Sequence, residues 1–541
     1  KPIEKMLVQL PEHTQADTLK ITIPNATLGE FDRRFRNTWL SFSAPVLPGH
    51  TVAGNIELVR ESVGIAESGF DLSVVENGTF INNLELLPLF GYQDGYELMD
   101  RHERQKRGLT EKERANKLED SRYYRQNFFG VDGDFIQFEA TVSTSADQIA
   151  LAPGYLQKQW QQDGRQYFHY LMDSPMVNFY AIISGRYQVE KVEHNGITVE
   201  VYYHVDHPWN VARMVESVKD SIDYYTAAFG PYQHKQMRIM EFPGYRSFAQ
   251  SFANTVPYSE RIGFITDLRN EDNIDPVYYV TAHEVAHQWW GHQVGAADVQ
   301  GSAVISESLS QYSALMVLEH KYGDKMIRKF LKYELDRYLR GRSSEPIKEQ
   351  PLLRSENQQY IHYQKGSVVM MAIKDVLGEA KLNANLKAFL TRYQYRNDPF
   401  PTTVDLVNYL KQGADDIQSR FIDESFNEIT LYDLRLTNAV ATVLPNGKTQ
   451  VELTIYASRK VASGKGEETE QPLDMQVDIG AFSVDPDKLK DEKQILLLGK
   501  HHLVSGENKL TLTLDEKPSY VGVDPFVKLI DRDARDNIFK L

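Results

Sequence analysis

The stretch His283-Glu284-Val285-Ala286-His287 decides how the rest of the chain is read. On a helix, residues four apart lie on one face, so both imidazoles can reach the same ion. Glu284 then sits beside that ion, placed to take a proton from a water held there. These five residues outline a zinc hydrolase site. The flanks support a helix. Asp275-Pro276 supplies an N-cap and a proline for the first turn. Val277, Val280 and Ala286 supply apolar positions, and Gly291, after Trp289-Trp290, supplies a stop. Both histidines are expected mid-helix.

A catalytic zinc takes three protein ligands and keeps a further place for water. Downstream, Ser306-Glu307-Ser308-Leu309-Ser310-Gln311-Tyr312 opens a second helical pattern that Leu315, Met316 and Glu319 continue and Gly323 stops. Two antiparallel helices joined by the loop 295–301 would return Glu307 to the histidines. Two His and one Glu is a set that hydrolytic zinc sites use. Other glutamates of the chain are chemically eligible for the third place.

With these residues in hand, the chain resembles the gluzincin metallopeptidases of the alanyl aminopeptidase and leukotriene hydrolase type. His287-Gln288-Trp289-Trp290-Gly291 is similar to that family's His-Gln-Trp-aromatic-Gly run. The gap of 19 residues between His287 and Glu307 is one longer than the family's usual gap, and Ser-Glu-Ser replaces its Asn-Glu-Gly. The extra residue is expected in the glycine-containing loop, where length is cheap to adjust. Tyr363-Gln364-Lys365-Gly366 resembles the family's Tyr-x-Lys-Gly. The resemblance implies that Tyr363 donates a hydrogen bond to the developing oxyanion. By itself, Tyr363 would read as a core aromatic ahead of Val368–Met371.

The family's Gly-Ala-Met-Glu-Asn segment survives only as a Glu. The matching stretch is Pro257-Tyr258-Ser259-Glu260-Arg261, with Glu260 standing 23 residues before His283. The resemblance makes Glu260 the binder of the substrate's free amino group, with an edge strand here open to pair with a peptide. A surface ion pair with Arg261 is the plainer alternative. The family also places an acidic residue two turns after the zinc Glu, behind a ligand histidine; here Ala314 stands there. Glu319, Asp298 or a backbone carbonyl are the candidate substitutes.

Composition bounds the rest. A chain of 541 residues exceeds one core. The formal charge of -15 argues against non-specific nucleic-acid binding. With no cysteine, disulfides and thiolate metal sites are excluded. No apolar run reaches the length of a membrane span. The chain begins at Lys1 and has no signal peptide, which reads as a processed chain or an excised fragment whose parent is free to be membrane-bound.

The expected fold is multidomain α+β. Residues 1–203 read as a β-rich N-terminal domain, with a charged, solvated helical insertion from about residue 96 to 125. Residues 204–322 read as a thermolysin-like catalytic domain carrying the zinc helices, and 323–425 as a helical region completing the site. Residues 426–541 read as a C-terminal β-sandwich, with Asn446-Gly447 turning a hairpin. The large helical bowl of many family members is expected to be absent or reduced, leaving a more open cleft. The expected activity is zinc-dependent hydrolysis of peptides from the amino terminus, with one zinc ion on His283, His287 and Glu307, Glu284 and Tyr363 catalytic, and Glu260 binding substrate. An endopeptidase of thermolysin type, a non-catalytic peptidase-like module and the peptidase part of a larger membrane assembly are the other readings.

Overall fold

Residues 188–259 show how local sequence sets the architecture. The strands β1 (Gln188–His194) and β2 (Ile197–Tyr203) pair antiparallel across Asn195-Gly196, both with positive φ, the backbone that a tight hairpin needs. After helix α1 (Val211–Ala228), β3 (Gln236–Phe242) joins β2 in parallel, and β4 (Thr255–Ser259) joins β3 in parallel. The order is β1-β2-β3-β4. Strand β3 is buried from Met237 to Phe242, as parallel strands covered on both faces are. That burial includes Arg238, whose guanidinium donates to the carbonyls of Ala152 (2.7 Å) and Gly154 (3.0 Å).

The computed structural model describes residues 1–541 except Val63, Glu67, Ser68, Val131 and Glu271. The chain forms two compact units. The first comprises Lys1–Arg114, Arg125–Lys219 and Gln233–Asp267. It is β-rich, and its core gathers Phe80, Phe168, Tyr170, Ile183, Phe242 and Phe252. The charged stretch from about residue 96 is less helical than expected. Its helix is Arg101–Lys106, capped by Asp100 and ended at Arg107-Gly108, where Gly108 turns to positive φ.

The second unit comprises Ala115–Tyr124, Asp220–Tyr232 and Leu268–Leu541. Its helices are α2 (Pro276–Ala286), α3 (Leu309–Tyr322), α4 (Asp324–Ser343), α5 (Gly366–Leu377), α6 (Glu379–Tyr393), α7 (Thr403–Leu410) and α8 (Asp416–Asn427). The Asp275 carboxylate accepts from Tyr278 N–H, the N-cap expected from Asp275-Pro276. Gly323 ends α3 with φ 73°. Two π-helical turns interrupt this regular picture, Val304–Ser308 leading into α3 and Tyr360–Lys365 leading into α5.

The chain closes in a β-sandwich. Strands β5 (Ile429–Val443) and β6 (Thr449–Ala462) form the expected hairpin, with Gly447 at φ 83° in its turn. Glu468–Gln471 and β9 (Gly506–Leu514) flank β6 in one sheet; β7 (Asp474–Phe482), β8 (Ile495–Val504), β10 (Tyr520–Val523) and Ile538–Lys540 make the other. Leu434, Val451 and Ile455 meet Ile479, Leu503 and Val521 between them. Lys528 Nζ ties the sandwich to the helices, reaching Asp478 (2.7 Å) in β7 and Asp375 (2.5 Å) in α5. The architecture is multidomain α+β, as the sequence indicates. Among the described residues, no helix is long and apolar enough to cross a membrane.

Candidate metal centre

Helix α2 is fixed from several directions. Tyr225 Oη donates to the Ala282 carbonyl (2.9 Å), and Tyr278 Oη donates to Asp220 (2.8 Å). The two tryptophans after His287 are fully buried: Trp289 Nε1 donates to the Gly230 carbonyl (3.0 Å), Trp290 Nε1 to Ser313 Oγ (2.9 Å). The motif run is thus the anchor of the helix end. It also corrects the expected placement of His287. Helix α2 ends at Ala286 and His287 is its C-cap, because Gln288, Trp289 and Trp290 tighten into short turns back to Val285 and Ala286. The bond from His287 N–H to the His283 carbonyl (3.3 Å) survives, so the four-residue spacing still aligns the two rings.

The π turn Val304–Ser308 carries Glu307 to those rings. His283 Nε2 and His287 Nε2 stand 3.0 Å apart. Glu307 Oε2 is 3.3 Å from the first and 3.4 Å from the second. Nitrogen and oxygen ligands at about 2.0–2.2 Å from a tetrahedral ion stand roughly 3.3–3.6 Å from one another. The two Glu307 edges have the spacing of a zinc site, and the edge between the two imidazole nitrogens is shorter. Glu307 Oε2 is also buried without a well-formed hydrogen bond, and so is free for a metal. The donors fit zinc, and one zinc is the cofactor of this centre.

The surroundings orient the ligands. His287 Nδ1 lies 3.0 Å from the Trp290 carbonyl, which makes Nδ1 the protonated nitrogen and leaves Nε2 for the ion. Ser310 Oγ (3.1 Å) and Ser306 Oγ (3.4 Å) flank the same nitrogen. A backbone carbonyl thus serves where the sequence lacks an acidic partner at Ala314. Glu319 instead pairs with Lys374, and Asp298 accepts from Asn116. Burial alone would lower the His287 pKa; the Glu307 carboxylate, with help from Glu284, lifts it to about 9. Burial would raise Glu307, and the two imidazoles hold it well below the usual carboxylate range.

Glu284, on α2 between the ligands, is buried, and Tyr363 comes to the same place in the second π turn. The Tyr363 ring lies 6.0 Å from that of His283. Burial and a hydrogen bond with Glu307 keep its phenol protonated, far above the usual range. Sequence reasoning missed two neighbours here. His362 packs its ring 4.7 Å from Tyr363, and burial pushes its pKa down to about 4. Ser308 Oγ donates to the His362 carbonyl (2.6 Å) and so joins the two π turns. Alternating serines at 306, 308 and 310 around Glu307 were the available signal.

Glu260 belongs to the first unit, just past β4. It makes no ion pair with Arg261 among the described contacts: Glu260 Oε1 accepts from Gly244 N–H (2.8 Å), and Oε2 lies 4.0 Å from His207 Nδ1. The expectation of an open edge strand fails. The segment 248–252 already pairs with β4, through Ser259 N–H to the Phe248 carbonyl (3.0 Å), Gln250 N–H to the Pro257 carbonyl (3.0 Å) and Phe252 N–H to the Thr255 carbonyl (2.8 Å). Strand β4 is buried throughout, which removes the aggregation-prone edge that a free strand would present.

Residues 213–426 match the model of the peptidase family M1 domain. Endoplasmic reticulum aminopeptidase 2 of Homo sapiens is 23% identical over 212 residues, 38% of this chain and 22% of that protein. Aminopeptidase M1 of Arabidopsis thaliana is 24% identical over 288 residues, 51% of this chain and 32% of that protein. The chain thus spans a third or less of those relatives. Among solved structures, Legionella pneumophila aminopeptidase A in complex with aspartic acid aligns with TM-score 0.57 and 14% identity, over 98% of this chain and 55% of that one. A mutant M1 zinc metallopeptidase of Deinococcus radiodurans bound to a Tyr-Ser-Ala substrate aligns with TM-score 0.51 and 15% identity, over 79% of this chain and 87% of that one.

Proposed function

On the premise that this chain carries a peptidase family M1 domain, and with it a divergent gluzincin zinc metallopeptidase centre, we propose that it hydrolyses peptide bonds and removes residues from the amino terminus of peptides. The observation that carries this reading is the triangle of His283 Nε2, His287 Nε2 and Glu307 Oε2, with buried Glu284 on the same helix and Tyr363 beside Glu307.

Zinc held there supplies a Lewis acid and lowers the pKa of water at the site. Glu284 takes the proton of the attacking water and delivers it to the leaving amine. Tyr363, kept protonated by burial and by Glu307, donates its hydroxyl to the oxyanion of the tetrahedral carbon. Glu260 receives the protonated amino group of the substrate, which is what confines cleavage to the first bond.

Paired peptides of one sequence, with a free or an N-acetylated amino terminus, test the reading. The free peptide should lose one residue at a time and the acetylated one should be inert. Internal cleavage of both at similar rates would reassign the chain to the endopeptidases; no cleavage by zinc-loaded protein would leave a binding module.

A further inference from the structure

The cleft where α5 and α8 meet the start of β5 and residues 528–530 contains a buried cation, Lys365, at the foot of α5. Lys365 is 1% exposed. Its Nζ donates to the Glu428 carbonyl (3.2 Å) and lies 5.9 Å from the centre of the Tyr338 ring. An ammonium has three N–H donors, and a buried charge left unpaired forfeits its hydration. Among the described residues no carboxylate pairs with Lys365, because the acids of this region have other partners. Glu349 accepts from Tyr338 Oη (2.5 Å) and pairs with Arg342 (2.6 Å). Glu428 pairs with Arg459 (2.5 Å), and Asp375 and Asp478 pair with Lys528 (2.5 and 2.7 Å). Burial pushes the Lys365 pKa down to about 8, Glu349 opposes the fall and Arg342 adds to it, so the group is still an ammonium at neutral pH.

A second unsatisfied group lines the same cleft. Thr430, in β5, has a buried hydroxyl with no hydrogen-bond partner. Much of the remaining wall is apolar, from Val368, Val369 and Ala372 on α5 to Leu529 and Ile530. The cavity measures about 30 Å³. One water takes roughly 10–15 Å³ of such space, so there is room for a monatomic ion and at most one water, and none for a phosphate or an organic acid. Apolar walls also select against ions that hold their water tightly, since leaving water is their largest cost.

We propose that this cleft seats one small monovalent anion, chloride, held by the Lys365 ammonium and the Thr430 hydroxyl. The ion supplies the charge that Lys365 lacks and an acceptor for a hydroxyl that has none. Lys365 closes the π turn Tyr360–Lys365, so the anion secures that turn from its C-terminal end. The site lies wholly within the second unit and does not depend on which peptides the chain cleaves.

Sodium chloride and sodium bromide are the probes, exchanged against sodium gluconate at constant ionic strength with the full zinc-loaded chain. The Tm of the wild type should rise with chloride or bromide concentration, as it does for any ligand that binds only the folded state. Sodium fluoride and sodium sulfate should leave it near the gluconate value. Lys365→Met keeps the stem and removes the charge, and should abolish the halide response. Thr430→Val keeps the shape and removes the hydroxyl, and should move the midpoint of the chloride titration roughly 10-fold higher. Crystals grown in bromide should show an anomalous peak in the cleft beside Lys365 Nζ; this arm and Thr430→Val decide the matter if Lys365→Met does not fold. Equal Tm in chloride and gluconate overturns the proposal, as does a chloride response that Lys365→Met and Thr430→Val retain unchanged. Bromide peaks confined to exposed lysines would mean an adventitious ion only, and would overturn it too.

Discussion

Gly366 lies against Ser308: a Cβ at Gly366 would stand 2.3 Å from Ser308 Oγ and 2.9 Å from Ser308 Cβ. The glycine of Tyr363-Gln364-Lys365-Gly366 is thus glycine because the segment carrying Glu307 is pressed upon it. The same Ser308 hydroxyl donates to the His362 carbonyl, so one serine sets the spacing of the two π turns that carry Glu307 and Tyr363. Such turns are rare and concentrate at functional sites.

Gly366→Ala should therefore cost about 1–3 kcal/mol through overpacking. Ser308→Ala should cost about 1 kcal/mol through the lost hydrogen bond. Removing the hydroxyl relieves part of the clash, so the double variant should be more stable than the summed losses imply. Chemical denaturation of the four proteins gives the coupling; strict additivity would mean that Gly366 and Ser308 do not press on each other.

Tyr363→Phe keeps the packing against His362 and removes the one hydroxyl assigned to the oxyanion. Loss of such a donor costs about 2.7–4 kcal/mol of transition-state stabilisation, or roughly 10²–10³ in kcat, with KM and zinc content nearly unmoved. Steady-state kinetics beside metal analysis checks this. A fall below ten-fold would return Tyr363 to an ordinary core aromatic.

Asp524 predicts a pH dependence in the sandwich. It is fully buried, accepts backbone N–H bonds from Lys528 (3.0 Å) and Leu529 (2.9 Å), and burial raises its pKa from 3.8 to about 7. The folded state thus holds a proton that the unfolded chain has released between those two values. Its contribution to stability is complete below pH 3.8 and is lost as pH rises through about 7. Asp524→Asn cannot titrate there, so its Tm should gain on that of the wild type as pH rises through this window. Parallel melting curves would contradict the assignment.

Particular residues show what the sequence made legible. The metal helix was readable because its signals are local: two histidines four apart, an Asp-Pro cap and an aromatic run for the core. The hairpin at Asn446-Gly447 was readable for the same reason. Glu307 was reached from the second helical pattern and Tyr363 by resemblance, but their π turns were not foreseen, since those arise from packing such as Gly366 on Ser308 rather than from any local pattern. The expected mid-helix place of His287 failed because Trp289 and Trp290 bury themselves and draw the chain into tight turns. The closed edge of β4 depends on a chain reversal at Phe252–Thr255, with Asn254 at φ 50°, which strand periodicity does not reveal.

The account stands or falls on Glu284 as the base of a zinc hydrolase. The direct measurement is Glu284→Gln, assayed for zinc content and for release of the first residue from a free-amine peptide. The account predicts one zinc per chain, as in the wild type, and a kcat lower by roughly 10²–10⁴. Turnover within a few-fold of the wild type, with the zinc still in place, would contradict it.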